Sequence, residues 1–288
     1  MADYGHELLF GTFITPTSAQ PQSAVMLAQV SEQAGLDLAT FQYHPYQPAF
    51  LDTWSLLAYV AARTERIQLS PNVLSLPLRP PAVVARAAAS LDLLTDGRIN
   101  LALGAGAFWN AVEAMGARRL SPGEAVSALD EAIGIIRALW NTAERGGVFR
   151  EGRYYSASGA KRGPAPAHDI PIWVGAYKPT MLRLVGRTAD GWLPSLGYFP
   201  SLEALAEGNA RIDEAAEAAG RDPRVIRRLL NVAQKDAQPD TLVRLAIEYG
   251  VSGFILAGDD PAAIRRFGEE IAPTVRDAVR ASRRDTQN

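Results

Sequence analysis

Cysteine is absent from the 288-residue sequence, and only three histidines occur. A chain without cysteine has no disulfide, no thiolate-bound metal and no cysteine nucleophile. Three histidines are also too few for a histidine-rich metal site, so we expect no metal.

The sequence also lacks a long apolar run and an excess of charge of one sign. No stretch of about 18 apolar residues occurs, which predicts no membrane span. The first residues, MADYGHELLFG, do not have the basic and then apolar pattern of a signal peptide, and we expect a cytoplasmic protein. Basic residues (29) nearly balance acidic ones (31), and no long basic run suggests nucleic-acid binding.

Short apolar runs alternate with helical patterns along the whole chain. The eight strand candidates cover residues 8–14, 36–42, 66–73, 98–105, 170–176, 190–195, 226–233 and 252–258. Strands alternating with helices predict parallel βα units, and eight such units are enough to close a (β/α)8 TIM barrel. A doubly wound sheet is the alternative, but the residues after the first strand, TPTSAQPQ, contain no glycine-rich fingerprint.

A single domain over residues 1–288 is therefore predicted, with one long insertion. Residues 141–169, between strands four and five, are rich in Gly, Pro and Arg and read as irregular. Loops of this length are usually functional or mobile.

The C-terminal ends of barrel strands are where active sites form, so we consider each of them. His44 follows strand two and is the one histidine at such an end; it could act as an acid or base, or merely cap a turn. Prolines after strand three indicate an irregular backbone or bulge.

Strand four ends in Gly104-Ala105-Gly106, followed by Phe108 and Trp109. Glycines permit close approach of a ligand to the backbone, but Trp109 occupies the last glycine position of the dinucleotide fingerprint. The two aromatic residues could wall a pocket or belong to the core.

Strand five ends in Gly175-Ala176-Tyr177-Lys178, directly before a helix. Helix N-terminal amides bind phosphate, and Lys178 would add a charge, although a plain β-to-α turn explains the same residues. Ala257-Gly258 after strand eight is a rival phosphate site.

Taken together, these segments resemble the luciferase-like flavin- and deazaflavin-dependent oxidoreductases. The matching pieces are residues 41–54, 62–74, 96–116, 127–155 and 170–195. Their order and spacing are specific, whereas the resemblance is thinner beyond residue 200.

The resemblance implies a TIM barrel in which His44 faces the reactive ring of a cofactor. It implies a bulge at Asn72-Val73, often with a non-proline cis peptide. It further implies cofactor contacts from Gly104, Ala105 and Gly106 and a phosphate site at Gly175, Ala176, Tyr177 and Lys178. We expect the substrate pocket to be lined by Thr12, Phe13, Phe108, Trp109 and Trp192.

The closest match is to the branch that uses the deazaflavin F420, which implies hydride transfer. The apolar and aromatic residues expected around the pocket indicate a small hydrophobic organic substrate. The alternatives are an FMN-dependent monooxygenase supplied by a separate reductase, and a non-catalytic flavin-binding barrel. A homodimer is expected. Two positions depart from many relatives: Tyr43 stands where an acidic residue often precedes the histidine, and Lys178 where glycine is common.

Overall fold

The computed structural model describes residues 3–287, with eleven strands and ten α-helices among them. The strands are β1 Leu9–Ile14, β2 Leu38–Gln42, β3 Gln68–Asn72, β4 Leu74–Ser75, β5 Leu101–Gly104, β6 Gly147–Arg150, β7 Ala157–Lys161, β8 Ile172–Val174, β9 Gly191–Trp192, β10 Arg227–Ala233 and β11 Gly253–Ala257. The helices are α1 Pro21–Gln33, α2 Thr53–Ala61, α3 Pro81–Leu94, α4 Trp109–Ala114, α5 Pro122–Trp140, α6 Pro179–Thr188, α7 Leu202–Ala218, α8 Pro239–Tyr249, α9 Pro261–Arg266 and α10 Ala272–Gln287.

Nine of the strands form one parallel sheet in the order β3-β2-β1-β11-β10-β9-β8-β5-β4. Only Val73 separates β3 from β4, so these two are halves of one barrel strand and the sheet has eight strand positions. A parallel bridge between Leu69 and Ile99 joins the first half to the chain entering β5 and closes the ring. The predicted (β/α)8 TIM barrel and its eight strands are confirmed.

The long insertion between β5 and β8 is not wholly irregular, which corrects the sequence-based interpretation. Strands β6 and β7 pair there as an antiparallel hairpin, with a register shift after Val148. Most residues of these two strands are exposed, so neither strand needs an apolar face and their sequences show little apolar–polar alternation. A hairpin with so weak a pattern is hard to distinguish from loop.

Helix α5 begins where the sequence indicated. Ser121 and Glu124 form a reciprocal capping box, and Pro122 occupies the first helical position. These interactions satisfy backbone amides that a helix start leaves free, so they fix the N-terminus of α5.

Side chains alternate between two apolar layers. Inside the barrel lies a small core of Leu38, Ala102, Trp173, Leu193, Leu229 and Ile255. The larger core lies between the strands and the surrounding helices. Phe13 and Val73 pack against the inner core from above and are only partly buried. They mark the C-terminal end of the barrel, which we call the mouth.

Among residues 3–287, no helix combines the length and apolar character needed to cross a membrane.

Candidate active site

His44 lies at the mouth because of the alternation along β2. Leu38 belongs to the inner core and the Thr40 hydroxyl bonds to Asn72 inside the barrel. Residues two apart in a strand lie on the same face, so Gln42 and then His44 continue this inward-facing series. His44 lies just past the end of the strand. Tyr43, one residue earlier, is buried in the outer core instead.

Three aromatic rings surround the His44 imidazole. Ring centroids lie 5.6 Å away for Tyr46, 6.3 Å for Phe50 and 5.9 Å for Phe108. Partial burial lowers the pKa of His44 below its ordinary value. In the described part of the chain no side chain hydrogen-bonds to the ring. The imidazole is therefore neutral near pH 7, and its nitrogens are free to exchange a proton with a ligand.

Phe108 reaches His44 from the segment between β5 and α4. Its backbone is left-handed, with φ of 53°, and its side chain is 66% exposed. This conformation is costly for a bulky residue, and such costs concentrate at functional sites. Trp109 packs against the small cluster of Leu120, Ala125 and Ala128. Thus Phe108 walls the mouth, while Trp109 is partly a core residue.

The expected bulge is present after β3. The peptide bond between Asn72 and Val73 is cis, as the family resemblance implied. Val73 then projects between two glycines. A Cβ placed on Gly104 would lie 2.8 Å from a Val73 methyl, and one on Gly175 would lie 3.4 Å from it.

These distances correct the reason proposed for the glycine run. Val73 fills the space beside Gly104. At Gly106 a Cβ would lie 2.9 Å from both Pro77 and Trp109, and φ is +106°. These two glycines therefore accommodate protein groups first, and any contact they make with a ligand is through the backbone.

A buried amide network lies beneath the mouth. Asn72 Nδ2 donates to Asn231 Oδ1 (2.8 Å) and to Thr40 Oγ1 (3.1 Å). Asn231 Nδ2 donates in return to Asn72 Oδ1 and to Ser195 Oγ. The Asn72 side chain is thus committed to the barrel interior, and only its backbone is available to a ligand.

Ser75 contributes a hydroxyl without a partner. Its oxygen is buried and accepts or donates no hydrogen bond within residues 3–287. Ser75 pairs with Gly104, whereas its neighbour Leu74 lies in the outer core, so Ser75 is on the inner side of the strand. A buried polar group without a partner is costly and calls for an explanation. A ligand at the mouth would provide one.

The turn from Gly175 to Lys178 lies on the other side of the mouth. The Tyr177 hydroxyl accepts a hydrogen bond of 2.7 Å from the Ser195 amide, and its ring packs against Tyr198 and Phe199. Ala176 is buried, and Lys178 is exposed immediately before α6. The Lys178 side chain does not cap α6, and within residues 3–287 the first amides of this helix remain available to an anion.

The rival position after β11 is less suited to phosphate. Asp259 Oδ1 accepts from the Thr15 amide, and Asp260 caps the start of α9. Two carboxylates beside Gly258 repel an anion.

Two residues expected in the substrate pocket lie elsewhere. Thr12 is fully buried with its hydroxyl 3.0 Å from that of Ser31 in α1. Trp192 is 1% exposed and packs towards α7, where a Cβ on Gly208 would lie 2.5 Å from its ring. Both side chains face the helical layer, so their assignment to the pocket was wrong. Phe13 does lie at the mouth.

Sequence reasoning also missed residues that the structure brings to the site. These are Tyr46, Phe50, Ser75, Ser195 and Asn231. A usable signal existed for Asn231: it lies two residues after Leu229, within the apolar half of its strand, and is therefore a polar residue facing the barrel interior.

Metal binding has no support in this geometry. Across residues 3–287 no three His, Asp or Glu side chains cluster so as to hold an ion.

Comparison with known proteins gives a consistent result. The family model for luciferase-like monooxygenases matches residues 4–266. An F420-dependent glucose-6-phosphate dehydrogenase from Nocardia farcinica is 35% identical over 218 residues, covering 70% of this chain and 63% of the relative. A protein of the same name from Nakamurella multipartita is 36% identical, covering 67% and 58%. The chain thus spans about three fifths of these relatives' length.

Solved structures share the fold. An F420-dependent secondary alcohol dehydrogenase, in complex with an F420-acetone adduct, superimposes with a TM-score of 0.82 at 18% identity. The match covers 94% of this chain and 99% of that structure. At this identity the likeness concerns the fold alone.

Proposed function

The chain belongs to the luciferase-like monooxygenase family, and from this premise we propose that it is an F420-dependent oxidoreductase acting on a small hydrophobic organic substrate. The choice of F420 is supported by the two relatives of 35% and 36% identity that carry this dependence in their names. We further propose a cytoplasmic homodimer, served by a separate enzyme that regenerates the cofactor.

The observation that carries the proposal is the environment of His44. Its imidazole is neutral, partly buried and without a protein hydrogen-bond partner among the described residues, at the end of a barrel strand. Bound F420 would supply or accept a hydride. Oxidation or reduction at a carbon bearing oxygen also moves a proton at that oxygen, and the His44 ring is positioned to accept or supply it.

The other mouth residues fit a flat ring system with an anionic tail. Val73 offers an apolar surface between Gly104 and Gly175, and Ser75 offers an unused hydroxyl. Lys178 and the uncapped start of α6 offer a positive site for a phosphate. The backbones of Asn72, Ala105, Gly106, Ala176 and Tyr177 complete the proposed cofactor contacts.

The substrate side of the mouth favours an uncharged molecule. Tyr46, Phe50 and Phe108 surround His44, Phe13 packs against the inner core at the mouth, and Trp109 follows Phe108 in the chain. Rings of this kind bury apolar substrate surface, and none of these five side chains carries the positive charge that a phosphate group favours. We therefore propose that this chain differs in substrate from the relatives named for glucose 6-phosphate.

Binding and turnover test the proposal separately. Fluorescence titration should show F420 binding at least tenfold more tightly than FMN, and Lys178→Ala should weaken F420 binding while Lys161→Ala, in strand β7 of the insertion hairpin, should not. A tenfold preference for FMN would contradict the cofactor assignment and favour the monooxygenase alternative.

With F420 bound, 2-propanol or cyclohexanol should be oxidised faster than glucose 6-phosphate; the reverse order would contradict the substrate assignment. Binding without turnover of any of them would favour a non-catalytic barrel.

A further inference from the structure

Tyr43, Arg79 and Asp52 form a hydrogen-bonded chain next to the mouth. Arg79 Nε donates to the Tyr43 hydroxyl at 2.7 Å, and Arg79 Nη2 donates to Asp52 Oδ2 at 2.6 Å. Tyr43 is 3% exposed, and the Arg79 guanidinium also lies 5.8 Å from the centroid of its ring. Neither the chemistry proposed above nor the hydrophobic core accounts for these two hydrogen bonds. We call the group of Tyr43, Arg79 and Asp52 the clasp.

The clasp closes one particular loop. Residues 44–51 connect β2 to α2 and carry His44, Tyr46 and Phe50. Tyr43 immediately precedes this loop, and Asp52 immediately follows it as the N-cap of α2. One guanidinium therefore holds both ends of the segment that bears the imidazole and two of its three neighbouring rings.

Arg79 itself comes from a different part of the mouth. It follows the short helical turn Leu76–Leu78, just after the Asn72-Val73 bulge and β4. Its amide donates to the Leu76 carbonyl, so the backbone at Arg79 is fixed relative to that turn. The clasp thus relates the His44 loop to the strand that forms the floor of the proposed cofactor site.

The chemistry of the three groups suits this task. Hydrogen bonds from Ser55 and Arg79 outweigh burial and hold the pKa of the Asp52 carboxyl below its ordinary value, so it is ionised near pH 7. A planar guanidinium presents several donors in fixed directions and can bridge two acceptors, which an ammonium cannot do with the same geometry. Charge-assisted hydrogen bonds of this length are stronger than neutral ones.

We propose that the Tyr43–Arg79–Asp52 clasp positions His44 for proton transfer, by holding residues 44–51 closed over the mouth. Tyr43 then has an indirect role: it acts through Arg79 on the loop and not on the imidazole itself. This inference rests on the proposed function for its catalytic consequence, but its structural consequence can be measured without cofactor.

The test uses conservative variants of the full chain. Tyr43→Phe keeps the buried ring and removes the acceptor. Asp52→Asn keeps an N-cap oxygen for α2 and removes the charge. Arg79→Lys keeps the charge and loses the bridge. Glu248→Gln, in the exposed Arg244–Glu248 pair of α8, is the matched control.

The first readout is the His44 pKa, measured by NMR on cofactor-free protein. Burial lowers this pKa in the parent, so an opened loop should raise it toward the ordinary value in each clasp variant and leave it unchanged in Glu248→Gln. The second readout is turnover. Displacing a positioned group by about 1 Å can cost roughly 10²-fold, and we expect kcat to fall roughly tenfold or more with the cofactor KM within about twofold.

Coupling between the variants completes the test. Because Tyr43 and Asp52 act through one guanidinium, the double variant should lose little more than either single variant. An unchanged His44 pKa in all three clasp variants, or effects on kcat that multiply independently, would overturn the proposal. If the parent shows no turnover with F420, the proposed function fails, while the His44 pKa comparison still decides whether the clasp holds the loop.

Discussion

At the scale of single residues, His44 is defined as much by what does not touch it as by what does. The residue before the histidine is Tyr43, at a position where the family resemblance implied an acidic side chain. Tyr43 points away from the imidazole and hydrogen-bonds to Arg79. The imidazole is surrounded by aromatic rings and free of charged partners in the part of the chain that the structure describes. Its acid–base behaviour is therefore set mainly by burial, which favours the neutral form.

Replacing His44 should separate chemistry from binding. His44→Ala removes the proton donor or acceptor, an effect worth about 10²–10⁴-fold in rate, and so turnover should fall by that range. The F420 affinity and the melting temperature should change far less, because the ring is only half-buried and makes no hydrogen bond to any residue that the structure describes. Steady-state kinetics with cofactor titration would check this. Turnover within about threefold of the parent would show that His44 does not transfer the proton.

At the scale of elements, the segment from β5 to α4 shows that a glycine can be required for reasons other than ligand contact. Gly106 has φ of +106°, and a side chain there would meet Pro77 and Trp109. Gly116, at the far end of α4, also has a positive φ (+90°) but open space around it. Comparing Gly106 with Gly116 therefore separates the cost of a positive φ, which both share, from the cost of steric overlap, which only Gly106 has.

Alanine at these two positions gives a direct prediction. Both variants should lose stability because L-residues disfavour positive φ, by about 1 kcal/mol or more. Gly106→Ala should cost about 1–3 kcal/mol beyond Gly116→Ala, since a methyl would overpack against Pro77 and Trp109. It should also weaken F420 binding by shifting the wall of the mouth. Urea denaturation checks the stabilities; equal losses in the two variants would contradict the packing argument.

The same scale explains which parts of the site the sequence could predict. Apolar runs and their spacing were enough for eight strands and the barrel, and the structure has His44, Phe13 and Phe108 at the mouth, where the sequence put them, although their roles stay predictions. Which way a side chain faces depends on the register of each strand, and one residue decides between mouth and helical layer. Thr12 and Trp192 fell on the wrong side for this reason. The hairpin β6–β7 was missed because its residues are mostly exposed and lack alternation.

At the scale of the whole molecule, the proposed site lies at the mouth, whereas the opposite end of the barrel is covered by residues 3–6 and α10. Arg283 of α10 pairs with Asp3 and also donates to the His6 carbonyl. Tyr4 donates to Asp213 of α7, and Arg228 of β10 contacts both Asp213 and the Tyr4 ring. The proposed site and these stabilising contacts thus lie at opposite ends of the barrel, as is usual in barrels of this kind.

His6 makes that closed end sensitive to acid. Its Nε2 is buried with no hydrogen-bond partner among residues 3–287. Burial, together with the charges of Arg227 and Arg228, lowers its pKa from 6.5 to about 4. Between these values the unfolded chain binds a proton that the folded chain does not. The contribution of His6 to stability is therefore complete above pH 6.5 and is lost as the pH falls through about 4.

The corresponding measurement compares the parent with His6→Phe, which cannot titrate and keeps an apolar ring. Free energies of unfolding from urea titrations at pH 7.5, 6, 5 and 4.5 should fall more steeply with decreasing pH in the parent. The difference in slope should stay below about 1.4 kcal/mol per pH unit, since one imidazole can change the difference in bound protons by at most one. At pH 7.5 His6 is neutral in both the folded and the unfolded parent. The difference in unfolding free energy between parent and variant at that pH therefore measures packing alone. Identical slopes in the two proteins would show that His6 is not held neutral by the fold.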